Sequence, residues 1–150
     1  MVVDCSGTPH FDSVSRLSPD VERLARQQPE NWQSQPKAKL LRRIVDLIEL
    51  EIPRDPNAPE YAQGNTLGPL HRHWRRAKFL GRFRLFFRFD SASRIIVYAW
   101  VNDEKTLRMA GARTDPYAVF RRKLDQGIPP DDWATLLAEA RQAEDAKPTC

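Results

Sequence analysis

Residues 70–104 read LHRHWRRAKFLGRFRLFFRFDSASRIIVYAWVNDE, and this stretch decides the fold. Three runs rich in aromatic and β-branched residues follow one another: Trp74 to Leu80, Arg82 to Phe89, and Arg94 to Val101. Gly81 suits a tight turn between the first two, and Asp90-Ser91-Ala92-Ser93 suits the next. Connections this short imply antiparallel pairing, so the three runs form a meander. Strand side chains alternate faces with a period of two. Phe83, Leu85, Phe87 and Phe89 therefore share a core face, while Arg84, Phe86 and Arg88 share the other. The third run, IIVYAWV, scarcely alternates, as expected of a central strand covered on both sides.

Helices flank the meander. Thr8-Pro9 and Ser18-Pro19-Asp20 are helix-start signals, with Phe11, Val14, Leu17, Val21 and Leu24 at helical spacing. They predict one kinked helix, or two abutting pieces, to about Gln28. A second helix is expected from Pro36 to about Glu51, with Leu40, Leu41, Ile44, Val45 and Ile48 as its apolar stripe. Lys37, Lys39, Arg42 and Arg43 lie off that stripe, as a solvated face or an extension of a phosphate track. Pro53, Pro56 and Pro59 then argue against regular structure, and Gly64 to Pro69 reads as a loop. Downstream, Asn102-Asp103-Glu104 is read as the cap of a short helix through Met109. Asp115-Pro116 opens another, with Tyr117, Phe120 and Leu124 on one side and Gly127 as its stop. Pro129-Pro130-Asp131-Asp132 opens a last helix with Trp133, Leu136, Leu137 and Ala140 inward. Helices, then a meander, then helices define an α+β class. The chain reads as a single domain over 1–150, with 1–8 and 146–150 as loose tails.

The 150 residues are 41% hydrophobic and 29% charged, an ordinary globular balance, with a net charge of +4. The distribution of charge says more than its sum. No acidic residue occurs from Tyr61 to Phe89, where seven cations fall: Arg72, Arg75, Arg76, Lys78, Arg82, Arg84 and Arg88. Only six of the 24 Lys+Arg are lysine. Codon bias would account for that total but not for the acid-free gap. Arginine's planar fork suits phosphate. A cationic face dotted with aromatics suits a nucleic-acid strand, so the surface is read as an RNA site.

Other chemistries find no footing. Cys5 and Cys150 sit at the two ends and suit neither a disulfide framework nor a metal knuckle. A reducing, cytoplasmic compartment is the simplest expectation. The first residues do not read as a signal peptide, and no apolar run approaches a membrane span. Three histidines and two cysteines show no metal-ligand spacing. No Gly-rich phosphate loop or nucleophile elbow is present, so no metal or cofactor is expected.

The five-part run WRRAKF, FRLFFR, IIVYAWVNDEKTLR, DPYAVFRRKL and IPPDDW resembles the YhaV toxin family, part of the RelE-like superfamily of bacterial type II toxin–antitoxin systems. The resemblance covers roughly Phe11 to Glu139 and is most specific from Trp74 to Arg108. It implies a RelE-like fold, with two N-terminal helices on a small antiparallel sheet and C-terminal helices added. It implies an endoribonuclease that cleaves messenger RNA and arrests translation. It implies a PrlF-type antitoxin, similar to AbrB-type DNA-binding proteins, whose complex with the toxin represses its own promoter. Operator DNA is then met only through that complex. The family's key arginine in W-x-R-x-K-F falls on Arg76. The chain departs from its relatives at Ile128, where many carry histidine, and at Ala110, where many carry tyrosine. Those two positions motivate the alternative of a catalytically weak RNA- or ribosome-binding module.

Metal-independent RNA cleavage must deprotonate the 2′-hydroxyl, protonate the 5′-oxygen, and stabilise charge on the phosphorane. Preorganised cations supply the last term, usually the largest. Arg76 and Lys78 share one strand face, and Arg84 and Arg88 share another; in a matched pair the four converge. Arginine keeps its proton, so Lys78 is the candidate base. His71 and His73 have three readings: proton transfer, substrate contact, or a loop role. Asp103 and Glu104 either cap a helix or supply a catalytic carboxylate. Trp74, Phe86, Tyr98 and Trp100 either stack on bases or belong to the core; Trp133 reads as core. The expected catalytic residues are thus Arg76, Lys78 and Arg84, with Glu104 as a further carboxylate. Arg82, Arg88, His71, His73 and Trp74 are expected to contact RNA.

Overall fold

A computed structural model describes residues 2–4, 26–27 and 35–145. The helix expected between Thr8 and Gln28 lies outside them, apart from Arg26 and Gln27, which are helical. The tail at 146–150 also lies outside.

Four antiparallel strands make one sheet: β1 (Val2–Asp4), β2 (Arg75–Phe79), β3 (Phe83–Asp90) and β4 (Ile95–Val101), in the order β1-β4-β3-β2. The meander is as expected. Residues 2–4 are not the loose tail expected of them. They pair with β4, Val2 opposite Val97 and Asp4 opposite Ile95. The free edge of β4 presents backbone donors and acceptors that need partners, and β1 supplies them.

The β2–β3 turn gives Leu80 a φ of 46° and Gly81 a φ of 75°. Gly81 takes that left-handed conformation at no steric cost; Leu80 does not.

The β3–β4 register slips between Phe86 and Phe87, so that Phe86 faces Trp100 and Phe87 faces Tyr98. Ala99 is the extra residue of a bulge. The bulge turns Ala99 and Trp100 to the same face and restores Val101 to the face of Ile96 and Tyr98. IIVYAWV fails to alternate because β4 is central and buried on both faces, as its composition suggested.

Both faces of the sheet are covered. Helix α1 (Pro36–Asp46) packs Ile44 against Ala77, Phe79, Leu85, Phe87, Ile96 and Tyr98, joined by Leu47, Ile48 and Ile52 from its continuation. That continuation is a π turn, Leu47–Glu51, followed by a helical turn, Ile52–Arg54. Pro53 was expected to end regular structure. The helix runs on because the wider turn absorbs the clash of a proline ring with the carbonyl four residues back; the Ile52 N–H bonds Leu47, five residues back.

The opposite face receives α2 (Pro116–Asp125) and α3 (Trp133–Asp145). Phe120 of α2 stacks on Phe86 with ring centroids 4.4 Å apart, and on Trp100 at 5.9 Å. Trp74 meets Phe120 edge-on at 5.1 Å. Each buried ring contributes about 1.5–3 kcal/mol. Asp115 caps α2 by accepting the Tyr117 N–H at 3.1 Å, and Gly127, with φ 74°, terminates it, both as expected.

The short helix expected from Asn102 to Met109 does not form. Asn102 is buried and ties the segment to β3 instead: Arg84 N–H donates to its Oδ1 at 2.7 Å, and its amide donates to the Arg82 and Thr106 carbonyls. Asp103 accepts from the Lys105 N–H at 2.9 Å. Such short polar side chains offer the backbone an alternative to the helix.

Candidate active site

In the β2–β3 ladder, Lys78 stands opposite Arg84 and Arg76 opposite Phe86. The even-numbered faces therefore coincide, and Arg76, Lys78 and Arg84 form one group. Arg76 and Arg84 are buried, 9% and 7% exposed. Both turn to the hydroxyl of Tyr117, which accepts from Arg76 Nε at 2.8 Å and from Arg84 Nε at 3.2 Å. The remaining contacts are backbone carbonyls: Glu60 for Arg76, and Gly81 and Phe83 for Arg84. Neither guanidinium pairs with a carboxylate among the described residues. Lys78 is exposed beside them.

Two clefts lie on either side of the Arg76–Tyr117 bond. One, of about 380 Å³, lies along the edge of β2 and is bordered by Arg43, Glu51, Glu60, Tyr61, Arg76 and Lys78. The other, of about 550 Å³, is bordered by Arg108, Asp115, Tyr117, Arg121 and Arg122. Arg108 lies 4.9 Å over the Tyr117 ring and pairs with Asp115. The Arg76–Tyr117 bond thus ties a wall of one cleft to a wall of the other. Within the first cleft, Arg43 pairs with Glu51, and this bond holds the Glu51 carboxyl below its ordinary range.

The other expected site residues are placed differently. Trp74 is fully buried, its ring closed off by Phe120, and its indole N–H donates to Asp131 Oδ1 at 2.7 Å. It offers no face to a base. Phe86 is likewise fully buried, so the second face of β3 is not the open surface its alternation suggested; α2 covers it. Arg88 does not join the arginine group. Its guanidinium sits between Trp74 and Trp133, 5.3 and 5.6 Å from their centroids, and donates to the Asp131 carbonyl at 2.7 Å. Arg82 is exposed, its Nε donating to the Arg108 carbonyl. Glu104 lies in the exposed turn after β4.

His71 and His73 meet Asp131, whose Oδ1 lies 3.3 Å from His71 Nδ1 and 2.7 Å from His73 Nε2. Burial raises the Asp131 carboxyl, and the bonds from Trp74, His73 and His71 outweigh it, holding it below the ordinary range. Gln63 positions His71, donating to its carbonyl at 2.7 Å. These are three possible metal ligands that spacing along the chain does not reveal, since Asp131 lies 58 residues beyond His73. Tyr117 and Arg108 were also missed. Tyr117 reads in sequence as part of an apolar stripe, and nothing local marks its hydroxyl as an acceptor for two strands.

Comparison with known proteins assigns the chain to a family. A family model described as a toxin with endonuclease activity, of a toxin–antitoxin system, matches residues 8–141. The chain belongs to that family, the YhaV toxins. It is 40% identical over 133 residues to the Ribonuclease toxin YhaV of Escherichia coli strain K12, covering 87% of this chain and 86% of that one. It is 39% identical over 134 residues to the Toxin YhaV of Escherichia coli O6:H1, covering 88% and 87%. No solved structure matches. No helix among the described residues is long and apolar enough to cross a membrane.

Proposed function

We propose that this protein is an endoribonuclease toxin that cleaves RNA by 2′-hydroxyl attack without a metal ion, arrests translation by doing so, and is restrained by a PrlF-type antitoxin. The observation that carries the chemistry is the buried pair Arg76 and Arg84, held through their Nε atoms on one phenol hydroxyl. Burying a charge without a counter-charge is costly. A fold that keeps two such charges, fixed in orientation beside a cleft, is suited to an anion that arrives later.

In the proposed reaction the 2′-hydroxyl oxygen attacks phosphorus as its proton leaves, and the 5′-oxygen departs with a proton. The products are a 2′,3′-cyclic phosphate and a 5′-hydroxyl. Arg76 and Arg84 stabilise the charge that builds on the non-bridging oxygens. Arginine keeps its proton, so proton transfer falls to Lys78, the exposed amine opposite Arg84. Arg82, exposed at the start of β3, carries the backbone beside the group; Arg88, held between Trp74 and Trp133, takes no part.

The test is incubation of the full chain with single-stranded RNA in excess EDTA, with Arg76→Ala and Lys78→Ala alongside and folding checked by thermal melting. Cleavage by the unaltered protein, with 2′,3′-cyclic ends and a loss in both folded variants, is the expected result. Cleavage that Lys78→Ala leaves unchanged would remove Lys78 from the mechanism. Intact RNA with every protein, with and without translating ribosomes, would favour a binding module.

A further inference from the structure

At the far end of β2 from Lys78, three metal-capable side chains converge from two separate segments. His71 closes the turn Pro69–His71, His73 leads into β2, and Asp131 lies in the loop between α2 and α3. One ligand atom from each lies within 4.8 Å of the others. His71 Nδ1 and His73 Nε2 stand 3.3 and 2.7 Å from Asp131 Oδ1. A tetrahedral ion with nitrogen and oxygen ligands at about 2.0–2.1 Å sets neighbouring ligand atoms about 3.3 Å apart. The His71–Asp131 spacing equals that edge; the His73–Asp131 pair, now at hydrogen-bond distance, has to open by about 0.6 Å to admit an ion.

The surroundings are those of a supported ligand set. The other ring nitrogen of His71, Nε2, faces Asp125 Oδ1 at 3.9 Å. At that distance the carboxylate acts on the ring by its charge, without a direct hydrogen bond, and favours the orientation that leaves Nδ1 to the ion. Trp74 Nε1 donates to Asp131 Oδ1 at 2.7 Å, fixing the carboxylate. Arg88 holds the same loop through the Asp131 backbone carbonyl, so the loop's position does not depend on the side chain alone. Three protein ligands leave a fourth position for water. The His73 and Asp131 side chains are 38% and 40% exposed, so an ion can enter and that position can face solvent.

We propose that His71, His73 and Asp131 form a binding site for a divalent transition ion of the zinc type. Two imidazoles and one carboxylate suit zinc, cobalt, nickel or copper and disfavour magnesium and calcium, which prefer all-oxygen sets. The ion clamps the segment before β2 to the segment before α3, across the sheet end where Trp74, Arg88 and Trp133 stack. It takes no part in the cleavage proposed for Arg76 and Arg84.

The experiment uses the full chain, stripped with EDTA and then freed of chelator. Zinc sulfate is titrated in by calorimetry, and cobalt(II) is followed by visible absorption. The expected result is one ion per chain, with the visible bands of a tetrahedral nitrogen–oxygen site and none of the thiolate bands that Cys5 or Cys150 would give. His73→Gln removes a ligand at an exposed position and should weaken binding by at least about 100-fold; Asp125→Asn, which acts through His71, should weaken it by about tenfold. Magnesium should not compete. No zinc binding by the unaltered chain, equal affinity in a folded His73→Gln, or thiolate-dominated cobalt spectra would each overturn the assignment. Cleavage in EDTA is measured separately, so either proposal can fail without the other.

Discussion

Arg76 Nε donates to the Tyr117 hydroxyl at 2.8 Å, a bond that ties the edge strand of the sheet to the first turn of a helix 41 residues later. The same oxygen accepts from Arg84, so one phenol orients both proposed catalytic cations. Tyr117→Phe keeps the ring and removes only the acceptor. Hydrogen bonds to charged groups are each worth about 1.5–3 kcal/mol, so losing both should cost the variant about 3–6 kcal/mol in urea unfolding. Its cleavage rate should fall about tenfold or more at saturating RNA, because the guanidiniums lose their fixed aim. A destabilised variant with an unchanged saturating rate would make Tyr117 structural only.

The stack of Phe120 over the adjoining Phe86 and Trp100 rings is what closes the second face of the sheet. Phe120→Ala should cost about 3–5 kcal/mol. Against a typical total of about 5–15 kcal/mol, that leaves a marginal fold. The expected signature is a large drop in the urea midpoint, with new fluorescence from the exposed Trp74 and Trp100. A loss under about 1 kcal/mol would mean that α2 is held mainly by Asp115 and Tyr117.

Much of this architecture is legible in the chain. Gly81 and Asp90 mark the two turns, the Ile44–Ile48 stripe marks α1, and Asp115-Pro116 with Gly127 brackets α2. What sequence could not reveal has specific causes. The bulge at Ala99 reverses the face of Trp100, and no propensity announces a register slip. Asn102 looks like a helix cap and acts as a buried tie to β3, because its partners, Arg82 and Arg84, lie about 20 residues back. The alternation of Arg84, Phe86 and Arg88 is real, but whether that face meets solvent or a helix is decided by a segment 30 residues downstream. The same non-locality hid Asp131 from His71 and His73, and Tyr117 from Arg76.

Leu80 holds a φ of 46° in the β2–β3 turn, and its side chain is 52% exposed. The left-handed conformation costs an ordinary residue about 1–2 kcal/mol, and asparagine much less. Leu80→Asn therefore removes strain while losing little buried apolar surface. The melting temperature should rise by about 2–4 °C. A fall would show that Leu80 packs usefully despite its exposure.

Glu51 is held below the ordinary carboxylate range by its bond to Arg43, across the π turn. A depressed folded-state value means that the stabilisation is complete above the unfolded value, about 4.3, and is lost as pH falls through the folded one. Both side chains are partly exposed, so solvent screens the pair and its worth is small. Glu51→Gln should flatten the acid limb of the stability profile below pH 5. At neutral pH the urea midpoint should move only slightly. An acid limb identical to that of the unaltered chain would mean that the pair contributes nothing.

The arginine group also bears on inhibition. Lys78 and Arg82 are exposed, and Arg76 borders the cleft beside them, with no carboxylate paired to Arg76 or Arg84 among the described residues. An antitoxin whose inhibitory segment is acidic would relieve that uncompensated charge and cover the cleft in one step. Antitoxin and RNA should then compete, and binding of each should weaken as salt rises. Lys78→Glu should slow antitoxin association and lower its affinity about tenfold, since one rim charge is reversed against a segment of its own new sign. Fluorescent RNA titrated into a preformed toxin–antitoxin complex gives the decisive reading. Displacement by excess antitoxin supports a shared surface; a ternary complex with unchanged RNA affinity would place the antitoxin elsewhere on the fold.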